Sequence, residues 1–369
     1  MGSAESNSAI EALVFGASGI TGWAITNSAL SYPTPTAFSR VVGFTSRPLS
    51  LKDLDFPSDP RLQLYSGLDL SQDADTITKY LKKIENIDQI THHTYIEAGP
   101  MKVQSRESKR TLILSSTPSQ QSRMFIQIDN SGRFQQWYGF EFGTNVYRET
   151  PLKENAPRVP SPYGDHPFFY PQIDTLTRLA EGKSWKFADI RPNAIVGFVP
   201  SHNPMNIAEP LALYLSLLKS VNPTLSVPFP GTKESYTHLQ SNCSSDQLGR
   251  FHVYDSLHPE LTAGKAFNIA DEDRGVLGLW MEKERGAWGW VRGQKDLWDS
   301  WTKENGLRPK VEWTENGGEI INFARGPYST FDRHYDLGEA RRIGFAESVD
   351  HLKGYYVAFD RMRAAKIIP

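Results

Sequence analysis

The run Ala12-Leu13-Val14-Phe15-Gly16-Ala17-Ser18-Gly19-Ile20-Thr21-Gly22-Trp23 empties a short apolar stretch into three glycines at three-residue spacing. Such a run reads as a buried strand ending at Phe15, with a helix starting just beyond it. In that frame Gly16 makes the tight turn, Gly19 lets a pyrophosphate approach the backbone, and Gly22 packs the helix onto the strand. The helix N-terminus offers unpaired N–H groups and the positive end of its dipole to the phosphates. A glycine turn can also be purely structural. Its position between a strand and a helix favours nucleotide binding.

The chain continues in βα rhythm. Trp23 to Leu30 reads as the first helix, stopped by Tyr32-Pro33-Thr34-Pro35. Arg40 to Phe44 is a second buried strand that runs into Thr45-Ser46-Arg47. No acid stands there to grip a ribose 2′-hydroxyl, and Ser46 and Arg47 suit a 2′-phosphate, which favours NADP(H) over NAD(H). The alternative is that Arg47 is only a surface arginine. Leu62 to Tyr65 alternates as a third strand and leads to Asp69, which either accepts from an adenine amino group or caps the helix expected over Asp73 to Ile84. Ile90 to Ile96 and Gln135 to Phe142 read as the fourth and fifth strands. Between them, Met101 to Ser122 reads as an exposed polar excursion. His92 and His93, adjacent on a strand, point to opposite faces and read as packing residues rather than a metal pair.

A proline-rich loop from Pro151 delivers the chain to Tyr170 at the mouth of a helix expected over Pro171 to Ala180, and Lys186 to Pro192 reads as a sixth strand. The βα rhythm then weakens. An apolar helix from Pro210 to Leu218, a strand at Ala266 to Ala270 and a final helix over Val349 to Ala365 supply a second lobe. Five of the nine tryptophans fall between Trp280 and Trp301, and they read as lobe packing. The pattern predicts an α/β fold: a doubly wound, Rossmann-type parallel sheet over 11–198, after a short leader at 1–10. A smaller C-terminal α/β substrate lobe over 199–369 is interleaved with it.

Composition narrows the partners. A formal charge of −2, from 40 basic and 42 acidic residues, gives no field directed at nucleic acid or an anionic membrane. One cysteine, Cys243, excludes an intrachain disulfide and a thiolate metal cluster and fits a reducing, cytoplasmic setting. No apolar run approaches the roughly 20 residues that span a bilayer. Gly2 to Ser6 formally fits an N-myristoylation pattern, but no polybasic stretch follows, and the segment reads as a polar leader. The sequence is compatible with a homodimer without specifying one.

With these residues in place, the chain resembles the progesterone 5β-reductase and iridoid synthase group of atypical extended short-chain dehydrogenases, nearly end to end. Gly16 to Gly22 resembles its glycine turn, where Ser18, Gly19 and Ile20 would border the cofactor. Val42 to Arg47 resembles its NADPH-phosphate segment, with one of two expected arginines. Phe168-Phe169-Tyr170 with Asp174 resembles the motif of the catalytic tyrosine. Arg191 to Phe198 resembles its Arg-Pro-Gly segment, placing Pro192 and Asn193 at the cofactor, and Ala365 to Pro369 resembles its C-terminal ending.

The resemblance implies reduction of the C=C bond of an enone or enal by NADPH, with Tyr170 holding the developing enolate. The group's catalytic lysine falls at Asn145, and the residue one helical turn after Tyr170 is Asp174. A phenol has a pKa near 10, so without a lysine the tyrosinate needed for alcohol oxidation is scarce at neutral pH. Enone reduction asks only for a hydrogen-bond donor, and Asn145 would supply a second one. The expected substrate is a small apolar carbonyl compound. The alternatives are a redox-neutral isomerase or cyclase on the same scaffold and a non-catalytic NADP sensor.

Overall fold

A computed structural model describes residues 10–70, 72–85, 94–96, 125–129, 149–158, 160–161, 165, 169–183, 185–203, 205–224, 236–272, 275–276, 294–308 and 332–369. The N-terminal leader with Gly2, His92, His93, the segment 101–122, the strand expected at 135–142, Asn145 and Trp280, Trp288 and Trp290 lie outside them.

In chain order the described elements are β1 (Glu11–Phe15), α1 (Ile20–Ala29), β2 (Arg40–Thr45), β3 (Leu62–Ser66), α2 (Ala74–Leu81), β4 (Thr94–Ile96), β5 (Phe125–Asp129), α3 (Phe169–Ala180), β6 (Lys186–Pro192) and β7 (Ala194–Val196). They continue as α4 (Ala208–Val221), β8 (Leu239–Gln240), β9 (Asn242–Ser244), α5 (Ser245–Leu257), α6 (Pro259–Thr262), β10 (Ala266–Ile269), β11 (Gly275–Val276), α7 (Lys295–Glu304), α8 (Gly338–Arg342) and α9 (His351–Ala364). The chain divides into two compact units. Met1–Asn130, Phe168–Ile190 and Gly249–Ala266 form the first; Ser131–Pro167, Arg191–Leu248 and Phe267–Pro369 form the second.

The main sheet runs β10-β6-β5-β4-β1-β2-β3, and the pairs from β6 to β3 are parallel. This is the Rossmann strand order, whose switch point lies between β1 and β4. The strand between β4 and β6 is Phe125–Asp129, upstream of the segment expected to supply it. Two other boundaries move. Helix α1 starts at Ile20 rather than Trp23, because Gly19 takes the N-cap position in extended conformation. The cap of α2 is Asp73, not Asp69: Asp73 Oδ1 accepts from the Thr76 N–H at 2.9 Å, which satisfies a donor of the first helical turn.

Two hydrophobic layers hold the first unit. On one face of the sheet Phe15, Val42, Phe44 and Leu68 pack with Ile77 and Leu81 of α2. The register places Phe15 opposite Phe44 and Phe44 opposite Tyr65. Their rings stack at 4.5 and 6.0 Å. Helix α1 is buried along nearly its whole circumference, and its polar residues are small: Thr21, Thr26 and Ser28 are enclosed with the apolar ones. Ile25 packs with Val14, Ala17 and Leu64. The Trp23 ring stacks on Phe56, and its indole N–H donates to the Leu54 carbonyl at 2.7 Å. Helix α5 closes the enclosure: a Cβ at Gly249 would sit 2.5 Å from the Ala24 carbonyl oxygen, so only glycine permits this approach.

The second unit is held differently. It contains the parallel pair β7 and β9 and the antiparallel pair β8 and β11. Helix α9 packs on α4, β7 and β9. Side-chain amides tie distant segments together. The Asn193 amide donates to the Arg333 carbonyl at 3.0 Å while its own oxygen accepts from the Ala194 N–H. Asn206 donates to the Gly197 carbonyl and accepts from the Ala208 N–H. Asn268 donates to the Leu152 carbonyl, and Asp271 accepts from the Ser244 N–H at 2.6 Å. Trp298 and Trp301 are buried with ring centroids 5.5 Å apart. At the chain end, Ile367 and Ile368 are buried and Lys366 accepts from the Arg308 N–H.

Candidate cofactor and catalytic site

The glycine turn closes by backbone geometry alone. Gly16 has φ of 78°, and the N–H groups of Gly16 and Ala17 both donate to the Phe44 carbonyl at 2.9 Å, fastening the turn to β2. A Cβ at Gly22 would fall far inside van der Waals contact of the Gly16 carbonyl oxygen, and one at Gly43 would lie 3.0 Å from the Ala17 Cβ. The first bond of α1 runs from the Trp23 N–H to the Gly19 carbonyl, and no side chain caps the helix start. Its opening N–H groups therefore present an anion seat at the carboxyl end of β1, beside the switch point of the sheet. Ser18 is half-buried and Ile20 is buried within this turn.

The end of β2 supplies a cation. The buried Thr45 hydroxyl donates to the Arg47 carbonyl at 2.7 Å, and the Thr45 carbonyl accepts from the Gly67 and Leu68 N–H groups. These bonds fix the loop from which Ser46 and Arg47 emerge exposed. Of the three arginines in residues 10–85, two are engaged. Arg40 forms a pair with Glu11, and Arg61 pairs with Asp59 while donating to the Leu30, Pro35 and Phe38 carbonyls. Among the described residues the Arg47 side chain makes no hydrogen bond or ion pair, which leaves its guanidinium available to an anion. Asp69, half-buried after β3, accepts from the Gln72 side-chain amide at 3.3 Å. Nearby, burial and then the adjacent Tyr65 push the Tyr80 phenol up, and its hydroxyl donates to the Ser66 carbonyl.

Tyr170 is the second residue of α3 and is 6% exposed. Pro171 follows within the first turn, where its missing N–H costs no helical bond. Asp174, one turn on, is exposed. Pro192 and Asn193 belong to the second unit and are both buried. The Pro192 carbonyl accepts from the Tyr335 hydroxyl at 3.5 Å, and both ends of the Asn193 amide are bonded to backbone.

Sequence reasoning missed Thr45 and Trp23 as the residues that set the loop after β2. The signal for Trp23 was a large aromatic inside an otherwise small-residue helix; Thr45 gave none, because its partner is a main-chain carbonyl. Among the described residues no group of three His, Cys, Asp or Glu side chains forms a metal site, and no helix is long and apolar enough to cross a membrane.

Comparison with known proteins matches residues 12–284 to the PRISE-like Rossmann-fold domain. A short chain dehydrogenase of Leptosphaeria maculans is 32% identical, with 97% of each chain covered. A 3-oxo-Delta(4,5)-steroid 5-beta-reductase of Arabidopsis thaliana is 24% identical over 97% of this chain and 93% of the relative. Among solved structures, vestitone reductase from alfalfa superposes with a TM-score of 0.59 at 14% identity, covering 97% of this chain and 99% of that one.

Proposed function

The chain belongs to the PRISE-like Rossmann-fold family and is an enzyme of the short-chain dehydrogenase/reductase kind; from that premise we propose that it reduces the activated C=C bond of a small apolar enone or enal with NADPH. The observation that carries this reading is Tyr170, a nearly buried phenol in the first turn of α3 with an aspartate, not a lysine, one turn on.

The residues of the first unit fit a dinucleotide. The open start of α1 and the glycine backbone suit its diphosphate, Ser46 and the unengaged Arg47 suit a 2′-phosphate, and Asp69 suits an adenine amino group. Bound there in reduced form, it supplies hydride. The Tyr170 hydroxyl donates a hydrogen bond to the substrate oxygen as negative charge develops on it. Burial of the ring keeps water from competing for that bond. The steroid 5-beta-reductase named above is a relative that, by its name, reduces a 3-oxo-Delta(4,5) compound.

The test is NADPH oxidation by the purified protein with 2-cyclohexen-1-one and with citral. Oxidation that Tyr170→Phe slows at least tenfold supports the reading. Conversion of either compound without NADPH oxidation transfers the scaffold to redox-neutral isomerisation or cyclisation. Tight NADPH binding without conversion makes it a sensor.

A further inference from the structure

The loop from Gly197 to Ile207 leads from β7 into α4, and Asn206 braces it with three hydrogen bonds: to the Gly197 carbonyl, from the Gly197 N–H and from the Ala208 N–H. Asn203 adds a fourth by accepting from the Met205 N–H. Out of this rigid loop stands His202, whose Nδ1–H donates to Glu209 Oε2 at 3.2 Å. The two side chains differ in exposure: the glutamate is 4% accessible and the imidazole 30%. Glu209 lies in the first turn of α4, where the positive end of the helix favours its carboxylate. Nε2 has no protein partner among the described residues. Met205, in the same loop, is 40% exposed.

This arrangement differs from the other histidines of known partner. His258 Nδ1 meets the Tyr254 carbonyl, and His351 meets the Asn242 amide inside the unit. A buried carboxylate holding Nδ1–H fixes the neutral tautomer with its lone pair on Nε2, the nitrogen left outward. A histidine oriented in this way is equipped to take and return a proton.

We propose that His202, oriented by Glu209, is a proton-transfer group that enolises an apolar carbonyl ligand in a redox-neutral step. The proposal rests on the reading that the ligand is a carbonyl compound. A C–H bond at the carbon α′ or γ to the carbonyl breaks, its proton passes to Nε2, and its electron pair delocalises onto the carbonyl oxygen. The imidazolium then returns a proton to carbon. No electron is gained or lost overall, and the nicotinamide takes no part. His202 contacts the reacting atoms; Glu209 is a positioning residue.

The experiment uses the full chain without cofactor and 2-cyclohexen-1-one in D2O, with deuterium uptake at the α′ and γ carbons followed by proton NMR. Expected is uptake on the order of 10²-fold above buffer, as for a positioned general base. That excess is lost in His202→Ala and restored in the variant by added imidazole, which also shows that it has folded. For Glu209, spectra of the protein labelled with 15N in histidine report the tautomer: His202 is expected as Nδ1–H in the wild type and as a mixture in Glu209→Gln, a shift that a merely structural role would not produce. Uptake that survives in His202→Ala, or a tautomer unmoved in Glu209→Gln, overturns the proposal. A wild type that oxidises NADPH with this ketone yet exchanges no faster than buffer also overturns it, and leaves the reductase reading standing. Exchange without NADPH oxidation upholds it and removes that reading.

Discussion

The glycine turn of the first unit and the asparagine scaffold of the second both hold loops rigid, by opposite means. Around β1 and α1 the backbone is pinned because side chains are missing: Gly16, Gly22, Gly43 and Gly249 let main chain approach main chain. Around β7 and β9 it is pinned because side chains are present: Asn193, Asn206, Asn268 and Asp271 reach across to main-chain groups. The first device leaves backbone N–H groups bare for an anion. The second braces a surface loop that displays a side chain instead.

Substitutions that add atoms to one device or remove them from the other put this contrast to the test. Gly22→Ala is expected to be the most damaging, lowering stability by about 3 kcal/mol, because its methyl group and the Gly16 carbonyl compete for one space. Thermal unfolding measures it, and an unchanged midpoint would break the argument that the turn depends on close main-chain packing. Asn193→Ala is expected to cost about 2 kcal/mol, since it leaves the Arg333 carbonyl and the Ala194 N–H buried without their partner. Leu or Asp in its place should not recover the loss.

Acid gives a third test, confined to the first unit. His252 of α5 is wholly buried, and desolvation lowers its pKa from 6.5 to about 3. The unfolded chain therefore binds a proton that the folded chain refuses between those values. Stability is unaffected above 6.5 and falls as pH drops below it, by about 2 kcal/mol at pH 5. Denaturant unfolding of His252→Gln should lack that slope. The smallest effect is on binding: Arg47→Ala should weaken NADPH about tenfold, about 1.4 kcal/mol, with NADH affinity and thermal stability unchanged. Equal losses for the two dinucleotides would remove Arg47 from 2′-phosphate recognition.

The same contrast explains what was legible in the sequence. The glycine turn can be read because its requirement is local: each glycine answers to a neighbour a few residues away or to the next strand. Strands β1, β2, β3 and β6 announced themselves by short apolar runs, and β6 matches its expected span of Lys186 to Pro192. Phe125–Asp129 escaped because five alternating residues inside polar surroundings carry a weak signal. The bond from Asn193 to Arg333 spans 140 positions, and nothing near either residue points to the other. His202 and Glu209 sit seven residues apart across a loop-to-helix junction, where neither helical nor strand periodicity applies.

The enclosure of α1 has one more consequence, for how cofactor preference can change over generations. The part of the site that would grip a diphosphate is also a joint on which the first unit's folding depends, so a substitution there that weakens binding also removes protein from the folded pool. Ser46 and Arg47 stand outside that joint, exposed on a loop fixed by the Thr45 hydroxyl and carbonyl rather than by themselves. If these two residues read the 2′-phosphate as proposed, selection can exchange them, and with them the choice between dinucleotides, while the stability of the fold stays constant.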